Sequence, residues 1–221
     1  PGHLASNPTL NSPIKATLRQ VQSDAMNSMG TSIVVNGAPL SNNANLQIGN
    51  TAKDGSLNTN FASTAGTGTD LRQLAVDNIE SVDVIRGSRS VEYGDLTSGV
   101  IIVNPRAGKY PLQARFKINP VLTQASLGKG FALGKNAGNL NVDFDYAHSL
   151  SDERRPNQSF RRVTANALYS NVFAERLQTN TSLAFFTDVD AVKRDESDTR
   201  YQRRRKAENT GFRFSTNTTL N

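Results

Sequence analysis

Two textures of hydrophobic patterning meet near Pro105. Before it, apolar residues come in short, separated runs. Ile14, Leu18, Val21, Ala25 and Met29 recur at spacings of three and four. Ser12 stands where a cap belongs, Pro13 at the first helical position and Gly30 at the stop, so a short amphipathic helix is predicted. Ile33-Val34-Val35 is a β-branched run closed by Asn36-Gly37, a hairpin turn signal. Residues 41–70 are dominated by Ser, Thr, Asn and Gly and predict a long loop, too poor in apolar surface to offset its own ordering entropy. Leu71 to Val76 predicts a short helix capped by Asp70. Ile79 to Ile85 alternates apolar and polar, the mark of a half-buried strand. Gly99 to Asn104, with the continuous apolar run Val100–Val103, predicts a strand buried on both faces.

After Pro105 the alternation becomes sustained. Gln113–Ile118, Val121–Leu133 and Leu140–Ala147 each read as a strand. Val163, Ala165, Ala167 and Tyr169 share one face, with Arg162, Thr164, Asn166 and Ser170 on the other. Leu177, Thr179, Thr181, Leu183 and Phe185 repeat the pattern, as do Phe212, Phe214 and Leu220. Segments of this kind, apolar on one side and wet on the other, suit the wall of a transmembrane barrel. In lipid every backbone group must be paired, which a barrel achieves. The same alternation also suits a soluble β-sandwich. The long polar tract Ser151-Asp152-Glu153-Arg154-Arg155 between strands favours the barrel.

Composition narrows the chemistry. Apolar residues make up 36% of the chain, against roughly 45–50% for soluble globular domains, and Ser, Thr and Asn take up the difference. With no cysteine there is no disulfide scaffold, thiolate metal site or cysteine nucleophile. Two histidines, His3 and His148, leave little for a zinc site or a Ser-His-Asp centre, so neither enzyme activity, cofactor nor metal is expected. The densest apolar run is Val100–Val103, far short of the ~18 residues of a spanning helix. A net charge of +6 is a mild excess. Arg203-Arg204-Arg205-Lys206 is offset by Asp190, Asp195, Glu196 and Asp198 just before it and reads as a solvated loop. Tyr201 is too little aromatic support for nucleic-acid binding there. Gly128-Lys129-Gly130 and Gly134-Lys135 lack the spacing and the Ser or Thr of a phosphate loop. Asp143 and Asp145 share a strand face but show no partner that would make them a glycosidase pair.

Residues 70–104 read DLRQLAVDNIESVDVIRGSRSVEYGDLTSGVIIVN. This resembles the plug-domain signature of TonB-dependent outer-membrane receptors, in which an (Ile/Val)-Glu-x-(Ile/Val)-x-Val strand leads into a (Lys/Arg)-Gly turn. A Tyr-Gly pair and a Gly-Val-Ile strand follow in that family. The matching residues are Ile79, Glu80, Val82, Val84, Arg86, Gly87, Tyr93, Gly94, Gly99, Val100 and Ile101. Upstream, Ile33 to Leu40 is similar to the family's hydrophobic-(Asp/Asn)-Gly-x-Pro strand and turn. Val91 to Gly99 most resembles receptors of the Bacteroidetes.

The resemblance implies a mainly β chain: a small α+β plug over residues 1–106, its beginning missing, then the first antiparallel strands of an incomplete transmembrane β-barrel over 107–221. Strands 33–36, 79–85 and 100–103 would form the plug's mixed sheet, with bends at Gly37, Gly87 and Gly94. Members have about 22 strands. At roughly ten residues per spanning strand, residues 107–221 supply five or six, so the chain is expected to be a piece of a longer receptor. The implied activity is uptake of a scarce nutrient at the Gram-negative outer membrane, with the plug facing periplasm and barrel lumen. The implied partners are the periplasmic TonB protein, an extracellular ligand and outer-membrane lipid, with a surface lipoprotein as a further candidate. No nucleic acid is expected. Asn42, Asn43 and Asn45 in the plug loop are candidate substrate-binding residues. Arg86 and Glu80 are candidate plug–barrel contacts, although Arg86 reads equally as an exposed turn residue and Glu80 as an ordinary strand residue. The alternative is a soluble β-rich adhesion or interaction module.

Overall fold

A computed structural model describes residue 10 and residues 31–40, 71–74, 78–86, 99–134, 137–153, 155–174, 176–194 and 204–220. The helix expected over 13–29, the loop over 41–70 and the bends at Gly87 and Gly94 lie outside these residues. Within them the chain is nearly all strand. Ten strands run in order as β1 (Thr31–Val35), β2 (Ala38–Pro39), β3 (Ile79–Arg86), β4 (Gly99–Pro105), β5 (Tyr110–Asn119), β6 (Leu122–Gly134), β7 (Gly138–Asp152), β8 (Arg155–Phe173), β9 (Leu177–Val192) and β10 (Arg205–Leu220). The helix expected at 71–76 is a single 3-10 turn, Leu71–Gln73. Two residues of that segment, 75 and 76, lie outside the described set.

Strands β1–β4 form one sheet in the order β2-β1-β4-β3. β1 runs parallel to β4, while β2 and β3 are antiparallel to their neighbours, so the sheet is mixed. The Asn36-Gly37 signal is the β1–β2 turn: both residues have positive φ, 48° and 81°, the pair of left-handed conformations that Asn and Gly tolerate best. Ile33, Leu40 and Val103 form a small core, covered by Val35, Leu71, Leu74, Ile79 and Ile101. β4 is central, as its apolar run predicts, with Val100 and Val103 buried.

Strands β5–β10 form a second, wholly antiparallel sheet in chain order, a meander. Its last four strands are 15, 19, 16 and 16 residues long, against ~5–6 in ordinary globular sheets. The register stacks like positions into rows. One outward row joins Leu127, Phe144, Ala165, Phe185 and Phe212; the next joins Val142, Ala167, Leu183 and Phe214. Phe116, Ile118, Phe212 and Phe214 are 71%, 77%, 76% and 67% exposed. Lys129, the one charge in this part of the face, lays its ammonium over the Phe131 ring at 4.8 Å. Outward threonines on β9 and β10 meet in hydroxyl pairs, Thr181 with Thr216 at 3.0 Å and Thr187 with Thr210 at 2.9 Å. Each hydroxyl thus finds a partner without water.

No helix among the described residues is long and apolar enough to cross a membrane; the outward face of the long sheet presents the apolar surface instead. Replacing Leu183 by Arg on that face should cost about 2–4 kcal/mol of folding stability in lipid. Urea titration of refolding into phospholipid vesicles measures it, and an unchanged midpoint would mean that this face does not meet acyl chains.

Candidate functional site

The two sheets meet through polar groups. Rows on the inner face of the long sheet carry charge where the outer face carries Phe and Leu. Asn141, Asp145 and Ser149 on β7, Arg162 and Thr164 on β8 and Asp188 on β9 are all buried. Such groups are tolerated away from water only when paired.

Two arginines cross the junction in opposite directions. Arg72, on the 3-10 turn beside the small sheet, donates from Nη1 and Nη2 to the two carboxylate oxygens of Asp190 on β9, at 3.1 and 2.9 Å. Its guanidinium lies 4.2 Å from the centre of the Phe160 ring on β8 and also donates to the Leu10 carbonyl at 3.0 Å. Arg162, on β8, is held by Asp145 of β7 and donates back to the carbonyls of Arg72 and Leu74, the latter at 2.9 Å. The fork geometry of the guanidinium suits both tasks, a bidentate carboxylate and a pair of backbone acceptors.

A second contact lies at the start of β3 and the linker that joins the sheets. The Asn78 amide donates to Asp143 on β7, and the Tyr110 hydroxyl donates to the same carboxylate at 3.0 Å. Asn141, fully buried, grips the linker at Gly108: its amide donates to the Gly108 carbonyl at 2.7 Å and accepts the Gly108 N–H at 3.1 Å. The approach is close because β6 carries Gly130 there. A Cβ at Gly130 would stand 2.7 Å from both the Asn141 amide nitrogen and the Tyr110 ring. At the other end of the small sheet, Asn36 donates to Ser215 on β10 at 3.3 Å.

Between these contacts the sheets part. A cleft of about 590 Å³ runs between Asn36, Glu80, Asn104 and the linker on one side and β6–β9 of the long sheet on the other. Among the described residues no group of three or more His, Cys, Asp or Glu side chains is placed to hold a metal ion.

Residues 6–101 match the family model of the TonB-dependent Receptor Plug Domain. That stretch is similar to a plug domain. Among solved structures, the siderophore receptor PirA from Acinetobacter baumannii is similar to the chain, with a TM-score of 0.51 and 13% identity over 80% of this chain. The alignment covers 26% of PirA, so the chain spans about a quarter of that receptor's length. At this identity the likeness speaks for the fold, a plug followed by barrel strands. No curated protein matches the chain.

Of the site residues expected from sequence, Asn42, Asn43 and Asn45 lie outside the described residues. Arg86 is the last residue of β3, paired in backbone register with Gly99; its side chain lies outside the described set. Glu80 is exposed and lines the cleft between plug and wall without an ion pair to a described residue. The residues that join plug to wall include Arg72, Asn78, Asp143, Asp145, Arg162 and Asp190, none of them expected from sequence to take that role. A signal existed for three: Asp143, Asp145 and Arg162 are charges at inward positions of strands whose outward positions are apolar. Arg72 carries no such mark, being one arginine in a short segment.

The Arg72 side chain is fully buried and that of Asp190 is 18% exposed. Asp190→Asn should therefore cost on the order of 3 kcal/mol at the junction, because it takes a carboxylate charge away from a buried guanidinium. Hydrogen exchange at the amides of residues 71–86 should quicken while β6–β8 stay protected, and the double change Arg72→Met with Asp190→Leu should recover most of the loss. Unchanged exchange in Asp190→Asn would mean that the pair does not hold the plug.

Proposed function

We propose that the chain is the plug and first barrel strands of a TonB-dependent outer-membrane receptor that takes up a scarce nutrient, divided into a plug over residues 1–106 and barrel wall over 107–221. The observation that carries this reading is the junction itself: a plug-domain match seated by buried polar contacts on the inner face of a wall whose outer face is apolar. The alternative, a soluble adhesion module, would leave the outward rows that run across the sheet from Leu127 and Phe144 through Leu183 to Phe212 and Phe214 in water, an apolar face that soluble monomers rarely expose.

In this reading no chemistry is done on the cargo. A ligand captured outside waits above the plug, and the periplasmic TonB protein, drawing on the inner-membrane proton gradient, pulls the plug until the seam opens. The longest connection in the wall, residues 193–204 between β9 and β10, supports placing that end outside the cell, where barrel loops are long. The linker end then faces the periplasm. The resemblance of Val91 to Gly99 supports an origin in the Bacteroidetes, where a surface lipoprotein is a partner to seek beside outer-membrane lipid. Asn42, Asn43 and Asn45 of the plug loop are proposed to hydrogen-bond the ligand.

The receptor should fractionate with outer membranes and need detergent for extraction. Loss of TonB or collapse of the proton gradient should stop uptake while surface binding persists. Recovery in the soluble fraction would overturn the reading. Alanine at Asn42, Asn43 and Asn45 together should weaken ligand binding at unchanged surface expression; unchanged affinity removes them from the site.

A further inference from the structure

The plug is held unevenly. On one side the Arg72–Asp190 pair and the Arg162 bonds to the Arg72 and Leu74 carbonyls tie it to the wall, whereas the described ties beside the cleft are neutral hydrogen bonds, Asn36 to Ser215 and Asn141 to Gly108. We propose that this cleft is a selectivity vestibule for neutral, hydroxyl-bearing solutes, with Glu80 turning anions away. That it lies on a transport route rests on the receptor reading above; its solute preference rests on the lining.

The volume, about 590 Å³, falls in the range of small-molecule sites. Its wall side is a cross-strand row, Asn139 on β7, Ser170 on β8 and Asn180 on β9, set side by side by the register, and its plug side brings Asn36 and Asn104. A side-chain amide offers donors and an acceptor together, the complement of a hydroxyl group, which also does both. The Asn180 carbonyl oxygen is buried with no hydrogen-bond partner among the described residues, so a donor is wanted there. The Asn36 and Asn104 amide nitrogens are already engaged, with Ser215 and with Ser81 and Asp83, which fixes how these two side chains face the space. Glu80 is the only charged side chain among the described residues that line it. Among the described residues no lysine or arginine lines the cleft beside Glu80, and such a carboxylate sets a negative potential there. An anionic ligand would meet repulsion from Glu80 and, among the described lining residues, no guanidinium or ammonium to bind it.

The chain has no cysteine, which allows a test that needs no knowledge of the natural ligand. Asn180→Cys in the detergent-solubilised receptor is treated with three methanethiosulfonate reagents: hydroxyethyl (neutral), sulfonatoethyl (anionic) and trimethylammonioethyl (cationic). Each rate is normalised to that of the reagent with a free thiol, and the parent receptor is the blank. The neutral reagent should modify the introduced thiol about tenfold faster than the sulfonate, and adding Glu80→Gln should remove most of that gap. The cationic reagent should match or exceed the neutral one and lose its advantage with Glu80→Gln. Equal rates for neutral and anionic reagents overturn the proposal, as does a gap that Glu80→Gln leaves intact. Failure of every reagent on the folded receptor, with full reaction after unfolding, overturns it too. Membrane fractionation and TonB dependence are read separately, so the vestibule can fall while the receptor reading stands.

Discussion

A guanidinium taken out of water must be given carboxylate or carbonyl oxygens in return, and the seating of this plug depends on that demand. Arg72 and Arg162 are both buried, and each reaches across the junction, one from the plug to a wall carboxylate, the other from the wall to plug carbonyls. An apolar junction of the same area would bind more firmly and come apart less readily. Ion pairs in such a setting add little net stability once desolvation is counted, yet they fix geometry closely, because any displacement leaves a charge unmatched. The junction is therefore specific without being greasy, and water can heal each broken contact if the plug moves.

The same demand explains why the chain is so poor in apolar residues for its size. The wall turns a soluble protein inside out: its apolar side faces away from the plug, and its inner side carries Asp, Asn, Arg and Ser. Among the described residues the small sheet's core is a handful of side chains around Ile33, Leu40 and Val103. Part of the polar backbone beside that sheet is satisfied by the wall it sits against. Asn141 illustrates the dependence, since a single buried amide on β7 satisfies both backbone groups of Gly108 in the linker.

Strands were legible because period-two alternation survives in a chain whose two faces meet different media. Leu140 to Ala147 and Val163 to Ser170 could be assigned to faces from sequence, and the register places them so. The Asn36-Gly37 turn was legible for a different reason, since few other pairs accept two successive positive φ values. Helical signals were weaker evidence: the 71–76 segment has an apolar spacing and a cap, yet its described part is one 3-10 turn, whose shape is set by the Arg162 contacts to two of its carbonyls. The partners at the junction were not legible, because Arg72 and Asp190 are separated by 118 positions and nothing local marks either one. Strand faces follow from neighbours in sequence, whereas ion pairs between domains follow only from how the domains dock.

Docking also sets where the seam is weak. Arg72, Arg162 and Asn78 hold the plug along its 3-10 turn and the start of β3, and Asn141 pins the linker at Gly108. Between them, Glu80 and Asn104 line the cleft, and the Asn36 turn touches the wall through one hydrogen bond to Ser215. Among the described residues, a force applied to the plug would then meet charged supports on one side and single neutral hydrogen bonds on the other. Charged contacts resist shear by geometry and yield as units, so the span beside Glu80 parts from the wall at lower cost than the Arg72 turn does. A seam that opens there exposes amides and a carboxylate rather than hydrocarbon, and water fills it without collapse of the plug core. The polar character that makes the junction costly to mispair is thus also what would let it open and close again in the proposed receptor.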